Sequence, residues 1–435
     1  MSSVTSSKKN SYLIPILIIG SLFFIFGFVT WLNGTLIPYL QLALQLTTAQ
    51  AIWVTFAFYI SYAVMAFPSS FVLKKTGLKS GMVLGLLVMA AGTLIFIPAA
   101  QTRLYWIFLT GLFIIGTGLA LLQTASNPYV TILGPIESAA KRMSIMGICN
   151  KGAGALAPLV MGAIMLKNVD GFNEKLALMT PVQQNEALDA LASRVIVPYI
   201  IMALVLIGLA VAIKFSNLPD INAEEENEKD NQPITKDRAH WWNYPFLLLG
   251  FLAIFLYVGA EVMAGDIIQI YGDSIGIPLS VARHFTSYTM IAMLIGYLLS
   301  ILLIPKYLKQ DNALKISAVL GVIFSLGAIF TQGYTSVLFI ALLGFANAAM
   351  WPAIWPLAID GLGKHLQTGS ALLIIGIGGG AILPKLWALW GENMSHRMEE
   401  AQAYQQAFWI LVPCYLFILF FAAYGHTIGK NRSKS

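Results

Sequence analysis

Twelve separate stretches of about 20 predominantly apolar residues, each long enough to cross ~30 Å of hydrocarbon as a helix, leave this chain very few possible folds. They fall at 12–40, 49–73, 80–99, 104–133, 142–166, 195–214, 244–271, 280–305, 313–331, 335–360, 369–390 and 404–428. Inside a bilayer every backbone polar group must be satisfied within its own element, so runs of this length form helices. The rest of the composition agrees: of 435 residues, 58% are hydrophobic and only 11% charged, which excludes an ordinary soluble domain. The expectation is an all-α membrane protein with twelve transmembrane helices. The apolar run after Lys8 and Lys9 is too long for the core of a signal peptide and lacks a cleavage site, so it is expected to remain as the first helix.

An even number of spans puts both termini on one side, and basic residues decide which. Lys8, Lys9, Lys74, Lys75, Lys79, Lys141, Arg142, Lys236, Arg238, Lys306, Lys309, Lys315, Lys364, Lys430, Arg432 and Lys434 all fall on the side shared by the termini. The opposite loops hold scattered bases such as Arg103, Lys167 and Arg283. Both termini are therefore expected in the cytoplasm, with the protein integral to a bacterial inner membrane. The net charge of +6 reflects this topology and anionic lipid headgroups; no basic, aromatic-interleaved module exists to bind nucleic acid. Cys149 and Cys414 lie within spans and imply no disulfide. The five histidines are scattered, none in a span interior at metal-ligand spacing, so neither metal nor cofactor is expected.

The longest polar break, 216–243, contains the charge-rich NAEEENEKDNQPITKDR, which cannot build a packed core. It reads as a linker between an N-terminal half, 1–215, and a C-terminal half, 244–435. Internal repetition supports that division. Gly152–Pro158 reads GAGALAP in span 5 and Gly378–Pro384 reads GGGAILP in span 11, 226 residues later; Asn127-Pro128 in span 4 matches Trp355-Pro356 in span 10, 228 residues on. The basic loop at Lys74 is echoed at Lys306. A near-constant offset over three landmarks marks a duplicated six-helix unit. Two six-helix halves joined by a cytoplasmic linker resemble the major facilitator superfamily, in which substrate binds near the midplane between the halves. The usual loop signature between spans 2 and 3 is degraded: PSSFVLKKTGLKSG keeps a Gly77 turn and Lys79 but has Lys74 where an acid is expected.

Polar groups at membrane depth are expensive and usually serve a function. Gln123 and Asn127 in LLQTASNPYVTILGP are four residues apart and share a helix face, and Pro128 leaves a carbonyl that neighbours or water must satisfy. The chain has no Asp or Glu before Glu137, so the interior of the first half contains no carboxylate. Its buried ionisable group is Lys151, about nine residues or roughly 13 Å into span 5. That lysine is either a fixed cation ordering a site or a snorkelling side chain. In span 7, Glu261 shares a face with Tyr257, while Asp266, five residues on, should point ~140° away and belong to an outer gate or rim. Asp360 ends span 10 and should be solvated. Asn347, Trp351 and Trp355 recur at i, i+4 and i+8 in span 10, joining an amide to two indole faces. That mixture suits a pyranose, whose hydroxyls pair with amides and carboxylates and whose C–H face packs on an aromatic ring.

At finer grain the chain resembles the fucose–galactose–glucose symporter family. The resemblance runs through FGFVTWLNGTLIPYL in span 1, LLQTASNPYVTILGP in span 4, YVGAE in span 7, and NAAMWPAIWPLAIDGLG with GGGAILP in spans 10 and 11. It implies a sugar carrier driven by a cation gradient, proton or sodium, with glucose, galactose, fucose or N-acetylglucosamine as substrate class. By the same resemblance Asn33 and Asn150 join Gln123, Asn127, Tyr257, Asn347 and Trp351 as sugar ligands. One departure matters. Fucose-type members resemble NLND in helix 1 and LET in helix 4, each with a proton-binding acid; here those positions are Gly34 and Gln123. Ion coupling is therefore expected at Glu261, Lys151 or Asp266. The competing readings are a carrier of anionic sugar derivatives, which Lys151 would pair, a passive sugar uniporter, and, more distantly, a polytopic membrane enzyme. The working unit is expected to be a monomer.

Overall fold

The computed structural model describes residues 13–132, 139–216, 218, 241–304, 307–360, 362 and 366–430. Among these the regular structure is helical, and twelve helices are long and apolar enough to cross a membrane. They are α1 (Pro15–Ala43), α2 (Thr48–Leu73), α3 (Lys75–Thr102), α4 (Tyr105–Asn127), α5 (Ile145–Met165), α6 (Ile196–Phe215), α7 (Pro245–Ser274), α8 (Leu279–Leu303), α9 (Gln310–Phe330), α10 (Gly333–Ile359), α11 (Ala371–Ser395) and α12 (Glu400–Ala423). Each overlaps a run expected from sequence. Most of the expected linker, Glu137, and the basic positions at 8, 9, 236, 238, 306, 364, 432 and 434 lie outside the described residues. Large apolar side chains such as Leu17, Val197, Leu302 and Phe330 point outward, where hydrocarbon satisfies them.

Local chemistry sets the boundaries. Gly77 adopts φ 76°, the left-handed conformation that turns α2 into α3, as its position in PSSFVLKKTGLKSG suggests. Before α6 the chain forms an amphipathic connector helix, Pro181–Ser193, opened by a capping box between Thr180 and Gln183 with Pro181 at its first position.

The helix pairs repeat across the two sets of six. α1 lies on α5, where a side chain at Gly27 would enter the Asn150 carbonyl; α7 lies on α11, where one at Gly379 would enter the Phe255 carbonyl. Small residues at these points let backbones approach closely, the packing that lipid favours because it offers no hydrophobic drive between helices. The two sets meet along α2–α11 and α5–α8. On the side opposite the termini they also close on one another. Gln269 of α7 donates to Thr35 of α1 (3.3 Å), the Ser280 backbone amide donates to Asp170 (3.1 Å), and Lys385 of α11 donates to the Ala49 carbonyl (2.6 Å) while its ammonium sits 4.5 Å from the Trp53 ring.

Candidate functional site between the helix sets

Two interruptions in otherwise regular helices shape the centre of the molecule. α1 breaks at Leu32, between Leu13–Trp31 and Asn33–Ala43. α7 widens into a π-turn at Met263–Ile267. Such a turn frees carbonyls from the i to i+4 ladder, and α8 takes them up: Thr286 donates to the Gly265 carbonyl (2.6 Å) and Thr289 to that of Ala264 (2.8 Å). The π-turn also corrects the expectation that Glu261 and Asp266 diverge. With i to i+5 bonding, residues five apart come back towards one face, and Asp266 lies within electrostatic reach of both Glu261 and Lys151. Nor does Asp266 sit on a hydrated rim: it is fully buried.

Lys151 does not snorkel. Its Nζ meets Glu261 Oε1 at 2.9 Å, an ion pair between α5 and α7 whose side chains are only 9% and 11% exposed. The ammonium also stands 4.3 Å from the centre of the Trp31 ring, a cation–π contact in a desolvated setting. Tyr257, one turn before Glu261, turns its hydroxyl against the same carboxylate, and Tyr297 of α8 lies close by. Trp31 belongs to a small core of its own with Ala155, Met290, Met293, Tyr297 and Ala348, drawn from both helix sets. A buried ion pair of this kind adds little net stability, because desolvation offsets attraction, but removing one partner strands the other charge.

Around this pair the expected ligands divide into two groups. Gln123, Asn127, Asn150, Trp351 and Trp355 are half-buried, whereas Asn33, Tyr257 and Asn347 are buried. Gln123 donates to the Tyr62 hydroxyl at 2.9 Å. Trp351 and Trp355 stack on each other with centroids 5.3 Å apart, and Tyr257 stands 6.4 Å from Trp351. Partial exposure thus rises from the closed side towards the side of the termini, where the half-buried residues of α4, α5 and α10 lie. Within the Asn347–Trp355 stripe a turn at Ala348 and Ala349, both still with right-handed helical angles, separates two regular stretches of α10. Asn347 accepts from Tyr415 of α12 (2.9 Å), and its Nδ2 has no partner. Asp360 is exposed, as expected, and pairs with Lys430 at 2.8 Å. Among the described residues no cluster of His, Cys, Asp or Glu is arranged to hold a metal ion.

Sequence reasoning missed Trp31, Tyr59, Tyr62 and Gln269. Trp31 carries the signal that singled out Trp351, a tryptophan well inside a span, and Tyr59 and Tyr62 share a face at i, i+3 in α2. Gln269 offers no comparable signal, since its position depends on the π-turn that ends two residues earlier.

Comparison with known proteins places this geometry. The Major Facilitator Superfamily model matches residues 19–384. The chain is 33% identical over 424 residues to a glucose/galactose transporter of Brucella abortus, covering 97% of this chain and 96% of that one. It is 29% identical over 384 residues to the L-fucose-proton symporter of Escherichia coli, covering 87% of each. The crystal structure of the transporter FucP in the outward conformation matches with a TM-score of 0.71 at 28% identity, over 95% of this chain and 99% of that one. The chain belongs to the major facilitator superfamily, and within it to the fucose–galactose–glucose symporter family.

Proposed function

We propose that this protein imports a neutral hexose of the glucose or galactose type together with a cation, by alternating access between halves spanning 1–215 and 244–435 about the 216–243 linker. The observation that carries this reading is the Lys151–Glu261 pair, a nearly solvent-free ion pair joining the two helix sets, with the half-buried amides Gln123, Asn127 and Asn150 and the stacked indoles of Trp351 and Trp355 on neighbouring helices. Sugar hydroxyls would exchange with the two charged groups while the C–H face packs on Trp351, with Gln123, Asn127, Asn150, Asn33, Tyr257 and Asn347 as further ligands. The names of the relatives, a glucose/galactose transporter and a fucose-proton symporter, support a sugar as cargo. An anionic sugar derivative fits less well, because Glu261 already neutralises Lys151. With both termini cytoplasmic in a bacterial inner membrane, the closed side is the outside and the conformation faces inward; one chain contains every element this cycle needs.

Uptake of labelled glucose, galactose, fucose and N-acetylglucosamine in a transport-deficient host tests the proposal, with sugar acids as competitors. Accumulation of a neutral hexose above the external level, unaffected by sugar acids, is expected. Equilibration without accumulation would leave a uniporter instead. Gln123→Ala and Trp351→Ala should each raise the apparent KM about tenfold, the scale of one lost hydrogen bond or ring contact. Wild-type KM values in both would remove them from the pocket. Lys385→Met, which releases the contact with Ala49, should speed modification of a cysteine placed in the outer cavity; an unchanged rate would show that this contact does not hold the closed state.

A further inference from the structure

Asp266 is the one carboxylate of the centre without a counterpart. It is 0% exposed, and no side chain hydrogen-bonds to it; the one donor near its carboxyl group is the Gly34 backbone N–H of α1, which falls short of full hydrogen-bond geometry. The charged groups facing it are Glu261 on its own helix and Lys151 from α5, and those two are already paired with one another; Tyr59 of α2 is the remaining titratable neighbour, and its hydroxyl is also unpartnered. From α1 and α8 it meets no charge, only the helix break around Gly34 and the threonine Thr286. A carboxyl group at membrane depth with no ionic partner of its own marks a functional position, because such a group is too costly to keep for packing alone.

Its place in the fold adds a second observation. A Cβ at Gly34 would lie 3.4 Å from the Asp266 Cα and 3.1 Å from the Gly265 carbonyl oxygen. Gly34 is the helix 1 position at which fucose-type sequences resemble one another in carrying an acid, and the π-turn of α7 fills the space beside it. We propose that Asp266 carries the coupling proton, supplying from α7 the carboxyl group that position 34 of α1 lacks. This rests on the symport reading above and gives the cation its identity. When α1 and α7 part on the outer side, ionised Asp266 takes a proton from external water onto one carboxyl oxygen. Closure of the Gln269–Thr35 contact seals the neutral acid, and the proton passes to water on the side of the termini when Lys151 turns from Glu261 to supply the countercharge.

The test uses the full chain in energy-starved cells in weakly buffered, sodium-free medium. Three readouts follow addition of galactose or glucose: alkalinisation of the medium and exchange of internal for external sugar in the starved cells, and accumulation in parallel in energised cells. The wild type should alkalinise the medium. Asp266→Asn should abolish that signal and lower accumulation by about tenfold or more while exchange falls less than about threefold, the split expected when ion movement is lost and sugar movement kept. Asp266→Glu should retain alkalinisation. The proposal is overturned if Asp266→Asn still alkalinises, if exchange falls as far as accumulation, or if the wild type accumulates sugar only with sodium and without alkalinisation. A wild type that exchanges no sugar would overturn the transport reading itself, an outcome distinct from the other three.

Discussion

Lys151→Met and Glu261→Met, made singly, are expected to abolish accumulation and to lower the stability of the purified protein by about 3–5 kcal/mol each, because each strands a buried charge. The double variant should regain most of that stability and none of the transport. The reasoning follows from the geometry: the 2.9 Å pair is nearly closed to solvent, and Trp31 already covers one face of the ammonium. Attraction within the pair therefore does little more than offset the cost of desolvating it, so two methionines of similar volume fill the space without leaving a charge behind. Thermal unfolding in detergent, run as a double-mutant cycle, measures the coupling directly. A double variant as unstable as the singles would mean that the pair contributes real net stability and is structural. A double variant that still accumulates sugar would remove both residues from the mechanism.

The sequence makes the architecture legible because the bilayer imposes it. Hydrocarbon demands helices of a fixed minimum length, and the twelve apolar runs meet that demand one for one. The same rule marks Lys151 and Glu261 as special, since a charge at that depth has to be paired or used. Periodicity fails where the helix itself departs from regularity. The ~140° separation of Glu261 and Asp266 assumes an unbroken α-helix, and the π-turn at Met263–Ile267 undoes it. That turn has no signature within MAGDI; it is stabilised by Thr286 and Thr289, more than twenty residues away on another helix. Asn347 and Trp351 differ in burial, one closed in and the other half-buried, which their i, i+4 spacing alone does not reveal. The partner of a buried lysine is likewise a tertiary fact: Glu261 lies 110 residues from Lys151.

Trp31→Ala is expected to cut the rate of uptake by at least about tenfold and to destabilise the fold by about 3–5 kcal/mol, the range for emptying a buried tryptophan site. Trp31 is 2% exposed and its ring fills the space left by two glycines, Gly154 of α5 and Gly265 in the π-turn of α7; a side chain at either would run into it. It therefore wedges α1 against one helix from each set while its face holds the Lys151 ammonium. Removing the ring loses packing and cation–π attraction together, so two further variants separate them. Trp31→Phe keeps an aromatic face with a weaker quadrupole and should retain partial uptake, whereas Trp31→Leu keeps bulk alone and should fold nearly as well as the phenylalanine variant yet transport no better than alanine. Equal uptake by the leucine and phenylalanine variants would show that Trp31 acts by volume only. In that case Lys151 is oriented by Glu261 without help, and the aromatic contact contributes nothing to the centre that joins the two halves.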